Sequence, residues 1–281
     1  MQLKSPRTPH LVGSGIPNSG DPSERLRWED ICGRFVVMEE KIDGSEVSFH
    51  FDTDARLIAR ERSTEIDLAS RGGSERHLDS FKAWLDRYAD EFFDRIEDRY
   101  VVYAEWCAVA HCILYDRLPD YFIECDIQDK KTGDFLSTAR RRQLLEGLEV
   151  AQAPVLFEGV ASKETSPGSL VKRSLYCSEG PVSAVMSRPT RRGADFSRLD
   201  MGGIAEGVYG KLEEDGKVVG RFKWIREDFV RRIVDGGRHW KNQAPVPNQL
   251  APDQKPSSFA TSTSSALPGV TRISCSGQPS G

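Results

Sequence analysis

Short runs in which apolar and polar residues alternate constrain this chain more than any other feature of its sequence. Val47, Phe49 and Phe51 alternate with polar neighbours, the pattern of a half-buried strand. Residues 35–38 read as a strand leading into Glu39-Glu40-Lys41, and residues 56–60 as the partner of the 47–51 run across an Asp-rich turn. Residues 100–106 and 121–127 read as two further strands. Residues 217–224 are expected to pair back on 203–212 through Asp215-Gly216, a strong hairpin signal. One long stretch changes to helical period: Leu78, Phe81, Leu85, Tyr88, Phe92 and Ile96 mark an amphipathic helix. A shorter helix, capped by Ser137 or Thr138, is expected to carry Leu144, Leu145 and Leu148. A last one is expected over 227–234, stopped by Gly236-Gly237. Strands and helices do not alternate as βαβ units. The pattern predicts an α+β domain of antiparallel sheets with helices packed outside.

Composition limits the function classes. The 281 residues include 13 Phe, 7 Tyr and 5 Trp, enough to build a core and too many for a disordered chain. No run approaches the roughly 18–20 apolar residues of a membrane-spanning helix, and no membrane association is expected. The N-terminus lacks the apolar segment of a secretory signal. A formal net charge of −4 argues against bulk electrostatic binding of nucleic acid but leaves room for a local basic groove. Cys32, Cys107, Cys112, Cys125, Cys177 and Cys275 form no C-x-x-C pair, so free thiols in a reducing cytoplasm are expected, not a zinc site. Residues 1–25, rich in Pro, Gly and Ser, are expected as an extended leader over the domain. Residues 26–244 are expected to form the folded domain. Residues 245–281 hold six prolines and eight serines against three charged residues, the composition of a disordered tail.

Five fragments carry chemistry. Glu40-Lys41-Ile42-Asp43-Gly44 puts a lysine at a strand end before a tight turn, which can present the amine to a pocket. Tyr103-Ala104-Glu105-Trp106 sets a carboxylate on an apolar strand, costly to bury unless it meets a cation or donors. Phe122-Ile123-Glu124-Cys125-Asp126-Ile127 again sets acids among apolar residues. Glu206-Gly207-Val208-Tyr209-Gly210-Lys211 follows, then Arg221-Phe222-Lys223, two cations on one face of a strand. Singly, each also suits a turn, a salt bridge or a solvated strand face. Together they supply a lysine nucleophile, carboxylates for a divalent metal and paired cations for phosphate oxygens. That is the inventory for attack of an amine on a nucleotide α-phosphate.

In this order the fragments resemble the covalent nucleotidyltransferases, the family of polynucleotide ligases and capping enzymes. The chain looks most like the nick-sealing type of ATP-dependent RNA ligase, in a subgroup of short bacterial and phage proteins. Arg7-Thr8-Pro9-His10-Leu11 and Leu118-Pro119-Asp120-Tyr121-Phe122 also resemble that subgroup. The resemblance implies a nucleotidyltransferase (adenylation) fold and a reaction through a lysyl-AMP. Lys41 would be the nucleophile, with an amine pKa lowered by Lys223 and a bound metal. Arg62 and Glu105 would contact the nucleotide, Glu105 at the ribose. Glu206 would bind the catalytic Mg2+ or Mn2+. Arg221 and Lys223 would neutralise phosphate charge, and main-chain groups around Glu40 and Ile42 would read adenine. Gly44, Cys125, Val208 and Lys211 complete the ATP site that the resemblance implies. The implied partners are RNA ends bearing 5′-phosphate and 3′-hydroxyl, with an end-healing kinase or phosphatase to supply them.

Three positions depart from the pattern. Cys125 stands where many relatives stack an aromatic on adenine, Ala104 replaces a glycine, and Arg221 replaces a lysine. DNA ligases and guanylyltransferases usually carry an OB-fold after the fifth motif. The roughly 20 residues between Lys223 and the Pro/Ser-rich stretch are too few for one, so no OB-fold is expected. The alternatives are another covalent nucleotidyltransferase, a DNA ligase or a GTP-using capping enzyme, and a nucleotide- or RNA-end-binding module without sealing activity.

Overall fold

The computed structural model describes residues 8–15, 25–179, 199–235 and 244–252. Eleven strands form one sheet among them: β1 (Phe35–Lys41), β2 (Ser45–Phe51), β3 (Leu57–Glu61), β4 (Thr64–Glu65), β5 (Tyr100–Trp106), β6 (Phe122–Asp129), β7 (Phe135–Leu136), β8 (Ala151–Gln152), β9 (Val155–Val160), β10 (Gly207–Glu214) and β11 (Lys217–Ile225). The order is β4-β3-β2-β5-β6-β7-β11-β10-β1-β9, with β8 added in parallel beside β6 and every other strand pair antiparallel. The helices are α1 (Asp79–Ile96), α2 (Thr138–Leu144), α3 (Pro167–Leu170) and α4 (Glu227–Asp235). The α+β architecture is the one the alternation predicts.

Two-residue β7 is the narrow join between two halves of the sheet. It pairs Phe135 with Gln128 of β6 on one side and with Val218 of β11 on the other. Each half packs one face into a core. In the β2-β3-β5-β6 half, Phe81, Leu85, Phe92 and Ile96 of α1 lie against Val47, Phe49, Ala104 and Phe122. The Trp84 ring stacks on Phe122 with centroids 4.2 Å apart. Each such fully buried side chain contributes about 1.5–3 kcal/mol. In the other half, Val36, Met38, Val208, Leu212 and Phe222 form a second core with Leu11 and Ile31. Side chains alternate, so the opposite faces carry Glu39, Lys41, Tyr209, Lys211, Arg221 and Lys223 on one half and Glu46, Ser48, Tyr103 and Glu105 on the other. These polar faces meet where Tyr209 Oη donates to Asp126 Oδ2 at 2.8 Å.

Several elements differ in extent from the sequence expectation. The Asp215-Gly216 hairpin forms, with φ of 50° and 75°, but β10 begins at Gly207. Before it, Ile204 bridges Arg173 instead. Ser137 Oγ caps α2 by accepting from Arg140 N. The helix stops at Leu144, and Gly147 takes a φ of 85°, so Leu148 packs on the core from outside it. Edge strand β9 was not among the expected strands. The Gly236-Gly237 stop falls outside the described residues. The tail was expected to start at Pro245, yet residues 244–252 pack into the domain. Val246 is fully buried, and Asn248 accepts from Tyr115 N at 2.9 Å and donates to Cys107 O at 2.8 Å. Single anchoring side chains do this work, and no periodic pattern announces them.

Candidate active site

The turn after β1 is pinned at three points. Ile42 drops into a core beside Tyr115, Ile123 and Ile225. Asp43 Oδ2 accepts from the backbone N–H groups of Cys112 and Ile113 at 2.8 and 2.7 Å, and Asp43 N donates to Tyr115 Oη at 3.0 Å. Gly44 lies so close to β5 that a Cβ there would meet Cys107 Sγ at 2.9 Å and Trp106 O at 3.0 Å. These contacts give Ile42, Asp43 and Gly44 each a separate reason to be there, and they leave Lys41 at the strand end.

Lys41 Nζ lies 2.9 Å from Glu206 Oε1 and donates to Oε2 at 3.0 Å. The pairing of β1 with β10 puts Gly207 opposite Lys41, and that places the preceding Glu206 at the lysine. Gly207 is required at that point, since a Cβ would approach Trp224 O to 2.0 Å. Burial disfavours the Lys41 ammonium, but Glu206 and then Glu105 outweigh it and hold the pKa above the ordinary lysine value. Carboxylates, not cations, dominate the amine's surroundings, opposite in sign to the lowering expected from Lys223 and a bound metal. Burial lifts Glu206 to about 7 against the pull of Lys41, and Lys223 is also close enough to lower it. Glu105 is pushed well above the carboxylate range by burial, opposed by Lys41, and its Oε2 is buried with no hydrogen-bond partner.

The other expected residues divide by strand face. Glu40 points away from Lys41, buried, with one carboxyl oxygen unpartnered; burial raises it to about 7 despite Ser174 and Leu175. Its N–H donates to Pro154 O at 2.8 Å. Val208 lies wholly in the core with Met38 and Phe222, so only its main chain is open to a ligand role. Ala104 points into the α1 core, away from the Glu105 side. Arg62 is exposed in the β3–β4 turn with a φ of 54°. Arg221 Nε donates to Tyr209 Oη at 2.9 Å, and its guanidinium lies over Phe135.

Lys211 does not reach the Lys41–Glu206 pair. It is fully buried, donating to Glu39 Oε2 at 2.6 Å and to the Cys125 carbonyl. Glu39 also takes a hydrogen bond from Arg141 of α2, whose other nitrogen donates to Glu124 Oε1 at 2.7 Å. Asp126 lies 3.5 Å from Arg221 and 3.6 Å from Lys211. Three acids and three bases therefore tie β1, β6, β10, β11 and α2 together between the two halves of the sheet. Sequence reasoning gave Glu39, Arg141 and Tyr209 no role. A basic run at positions 140–142 reads as a solvated helix face, and only the tertiary pairing reveals that the middle arginine is buried.

The donor set suits a nucleotide with a divalent cation. Among the described residues no cluster of three or more His, Cys, Asp or Glu could hold a metal alone. Small hard cations commonly use one or two carboxylates and complete their shell with phosphate oxygens and water, which matches a buried Glu206 beside a lysine.

No curated protein matches the chain. Among solved structures, an RNA ligase from Naegleria gruberi solved with ATP and Mn is 15% identical, with a TM-score of 0.43 over 80% of this chain and 61% of its own. An archaeal ATP-dependent RNA ligase is 14% identical, with a TM-score of 0.46 over 80% of this chain and 49% of its own. The chain thus spans less than two thirds of the length of either. The RNA ligase family model matches residues 34–225, from the start of β1 to the end of β11, and takes in Lys41, Glu105 and Glu206. On that match the chain belongs to the RNA ligase family.

Proposed function

We propose that the chain is an ATP-dependent RNA ligase. Lys41 Nζ attacks the α-phosphate of ATP, displaces pyrophosphate and holds AMP through a P–N bond. The adenylate then passes to an RNA 5′-phosphate. A 3′-hydroxyl attacks the activated end, AMP leaves, and the phosphodiester closes. The observation that carries this reading is a lysine ion-paired to Glu206 at 2.9 Å beside a half-buried Glu105 whose Oε2 is buried and unpartnered.

Glu105 accepts from a ribose hydroxyl, which relieves its buried, unpaired state. Lys223 offsets charge on the phosphates, and Arg221, held by Tyr209 and Asp126, joins it from the same strand face. Glu206 would hold a divalent cation, Mg2+ or Mn2+, which would supply positive charge beside the phosphates. Lys211 acts from below, fixing Glu39 and the Cys125 carbonyl. The substrate is RNA with 5′-phosphate and 3′-hydroxyl ends, which an end-healing kinase or phosphatase would supply in the cytoplasm.

The test is to incubate the protein with magnesium and ATP labelled at the α-phosphate, then denature it. Covalent label that disappears in Lys41→Ala is the expected result. Label from GTP alone would indicate capping chemistry, and no label a binding module. Nicked duplexes with RNA or DNA at the 3′-hydroxyl side then test substrate choice, with sealing of the RNA strand expected.

A further inference from the structure

Residues 8–15 form a strap along the edge of β11. Both backbone groups of Lys223 are held by it: Lys223 N donates to Pro9 O and Leu11 N donates to Lys223 O, each at 2.9 Å. Two residues on, Ile225 N donates to Ser14 Oγ at 2.9 Å and Gly15 N donates to Ile225 O at 2.7 Å. Ser14 Oγ also lies 2.9 Å from Nδ1 of His10, a buried residue that bridges Lys223 in the sheet pairing.

The sequence accounts for this path. Ser14 N donates to Leu11 O at 3.1 Å, closing a turn in which Gly13 takes a φ of 83°, the position that favours glycine. Leu11 is 1% exposed and sits in the core with Phe222 and Val208. Gly15 abuts α4, where a Cβ would come within 2.9 Å of Glu227 Cα. Beyond the strap, Leu26 N donates to His10 O and Val12 N to Leu26 O, each at 2.9 Å.

Among the described strands, the only other one on this edge of β11 is β7, at Lys217 and Val218. The end that carries Lys223 is therefore aligned by the strap. A cation held in place before charge develops stabilises it more than one that must be ordered during the reaction. We propose that residues 8–15 are a positioning element of the adenylylation site: Pro9 and Leu11 hold the Lys223 backbone, and His10, through Ser14, holds Ile225 two residues on, so that the Lys223 ammonium stays directed at the nucleotide phosphates. This rests on the ligase reading above.

The experiment measures the rate of formation of the labelled enzyme in the full chain over a range of ATP concentrations up to saturation. His10→Ala is expected to slow labelling about tenfold with KM for ATP changed by less than about twofold, the mark of an interaction made in the transition state. His10→Asn, whose amide can replace Nδ1 toward Ser14, recovers most of the rate. His10→Ala placed on Lys223→Ala slows it no further than Lys223→Ala alone. In hydrogen exchange, the Lys223 and Ile225 amides open about tenfold faster in His10→Ala while its thermal unfolding stays cooperative. A wild-type rate in His10→Ala, or an additive loss in the double variant, overturns the proposal. If His10→Ala does not fold, the same measurements on Ser14→Ala decide. If the wild-type chain takes no label, the ligase reading fails, and exchange alone judges the strap: unchanged Lys223 and Ile225 amides overturn it.

Discussion

Lys41 and Glu206 form an ion pair, and that sets what single substitutions do. The amine pKa is raised, so the ammonium persists through neutral pH and the nucleophile is masked. Replacing the carboxylate by an amide removes the anion nearest the amine. Glu206→Gln is therefore expected to make Lys41 more reactive toward an amine-acylating reagent at pH 8 without nucleotide, as read by mass spectrometry of the Lys41 peptide. Covalent labelling from ATP should fall about 10²–10³-fold in the same variant, because an electrostatic partner of the phosphates is gone. Parallel losses in both assays would sink the masked-lysine account. Gly44→Ala acts by sterics instead: its methyl would press on Trp106 O at 3.0 Å and Cys107 Sγ at 2.9 Å, displacing the turn. Overpacking of this kind costs about 1–3 kcal/mol. Denaturant unfolding should register that cost, and labelling should fall with Lys41 moved off Glu206.

At the scale of elements, β1 and α2 bear the most consequence. Helix α2 is seven residues long, yet its Arg141 enters a buried network with Glu39 and Glu124. Arg141→Met leaves both acids in the interior without that cation, which costs about 3–5 kcal/mol. An exposed pair such as Arg231–Glu227 contributes at most about 1 kcal/mol. Urea unfolding of Arg141→Met beside Arg231→Met should separate the two. On β1, the Glu40 carboxyl rises to about 7 from the usual 4.5. Between those values the folded chain holds a proton that the unfolded chain has lost, so stability falls as pH rises through that window. The Glu40 share is about 3 kcal/mol, fully present below the lower value. Glu40→Gln should flatten that part of the profile between pH 4.5 and 7, while Glu105 and Glu206, also raised, keep a residual slope of the same sign. These effects mark the limit of local pattern. Helix α1 was legible because one face recurs at 3.6 residues, and β2 because one face is apolar. β1 carries Glu39, Glu40 and Lys41 inward among apolar residues, so its depth could not be read from alternation. Arg141 looks like any surface arginine until β1 and β6 arrive from far along the chain. The Lys41, Glu105 and Glu206 trio was legible through ordered motifs, each bound to a strand end or turn with a stereochemical need for its glycine or acid.

Across the whole molecule, the Lys41 turn is braced by chain far from it in sequence. Asn248 donates to Cys107 O and accepts from Tyr115 N. Cys107 is the residue whose Sγ packs against Gly44, and Tyr115 Oη accepts the Asp43 N–H. One buried amide near the C-terminal end thus supports two of the walls that hold Lys41 in place. Asn248→Ala leaves a buried carbonyl and a buried N–H without partners, each worth about 1–3 kcal/mol. A loss of about 2–4 kcal/mol is expected in denaturant unfolding. The functional consequence follows from connectivity: Asp43 and Gly44 lose their backing together, so labelling of Lys41 should slow at temperatures where the variant is still folded. Ending the chain at residue 243 removes Val246 as well and should lower stability further. If that truncation unfolds at the wild-type denaturant midpoint and labels at the wild-type rate, residues 244–252 merely rest on the domain and the Lys41 turn is held by the sheet alone.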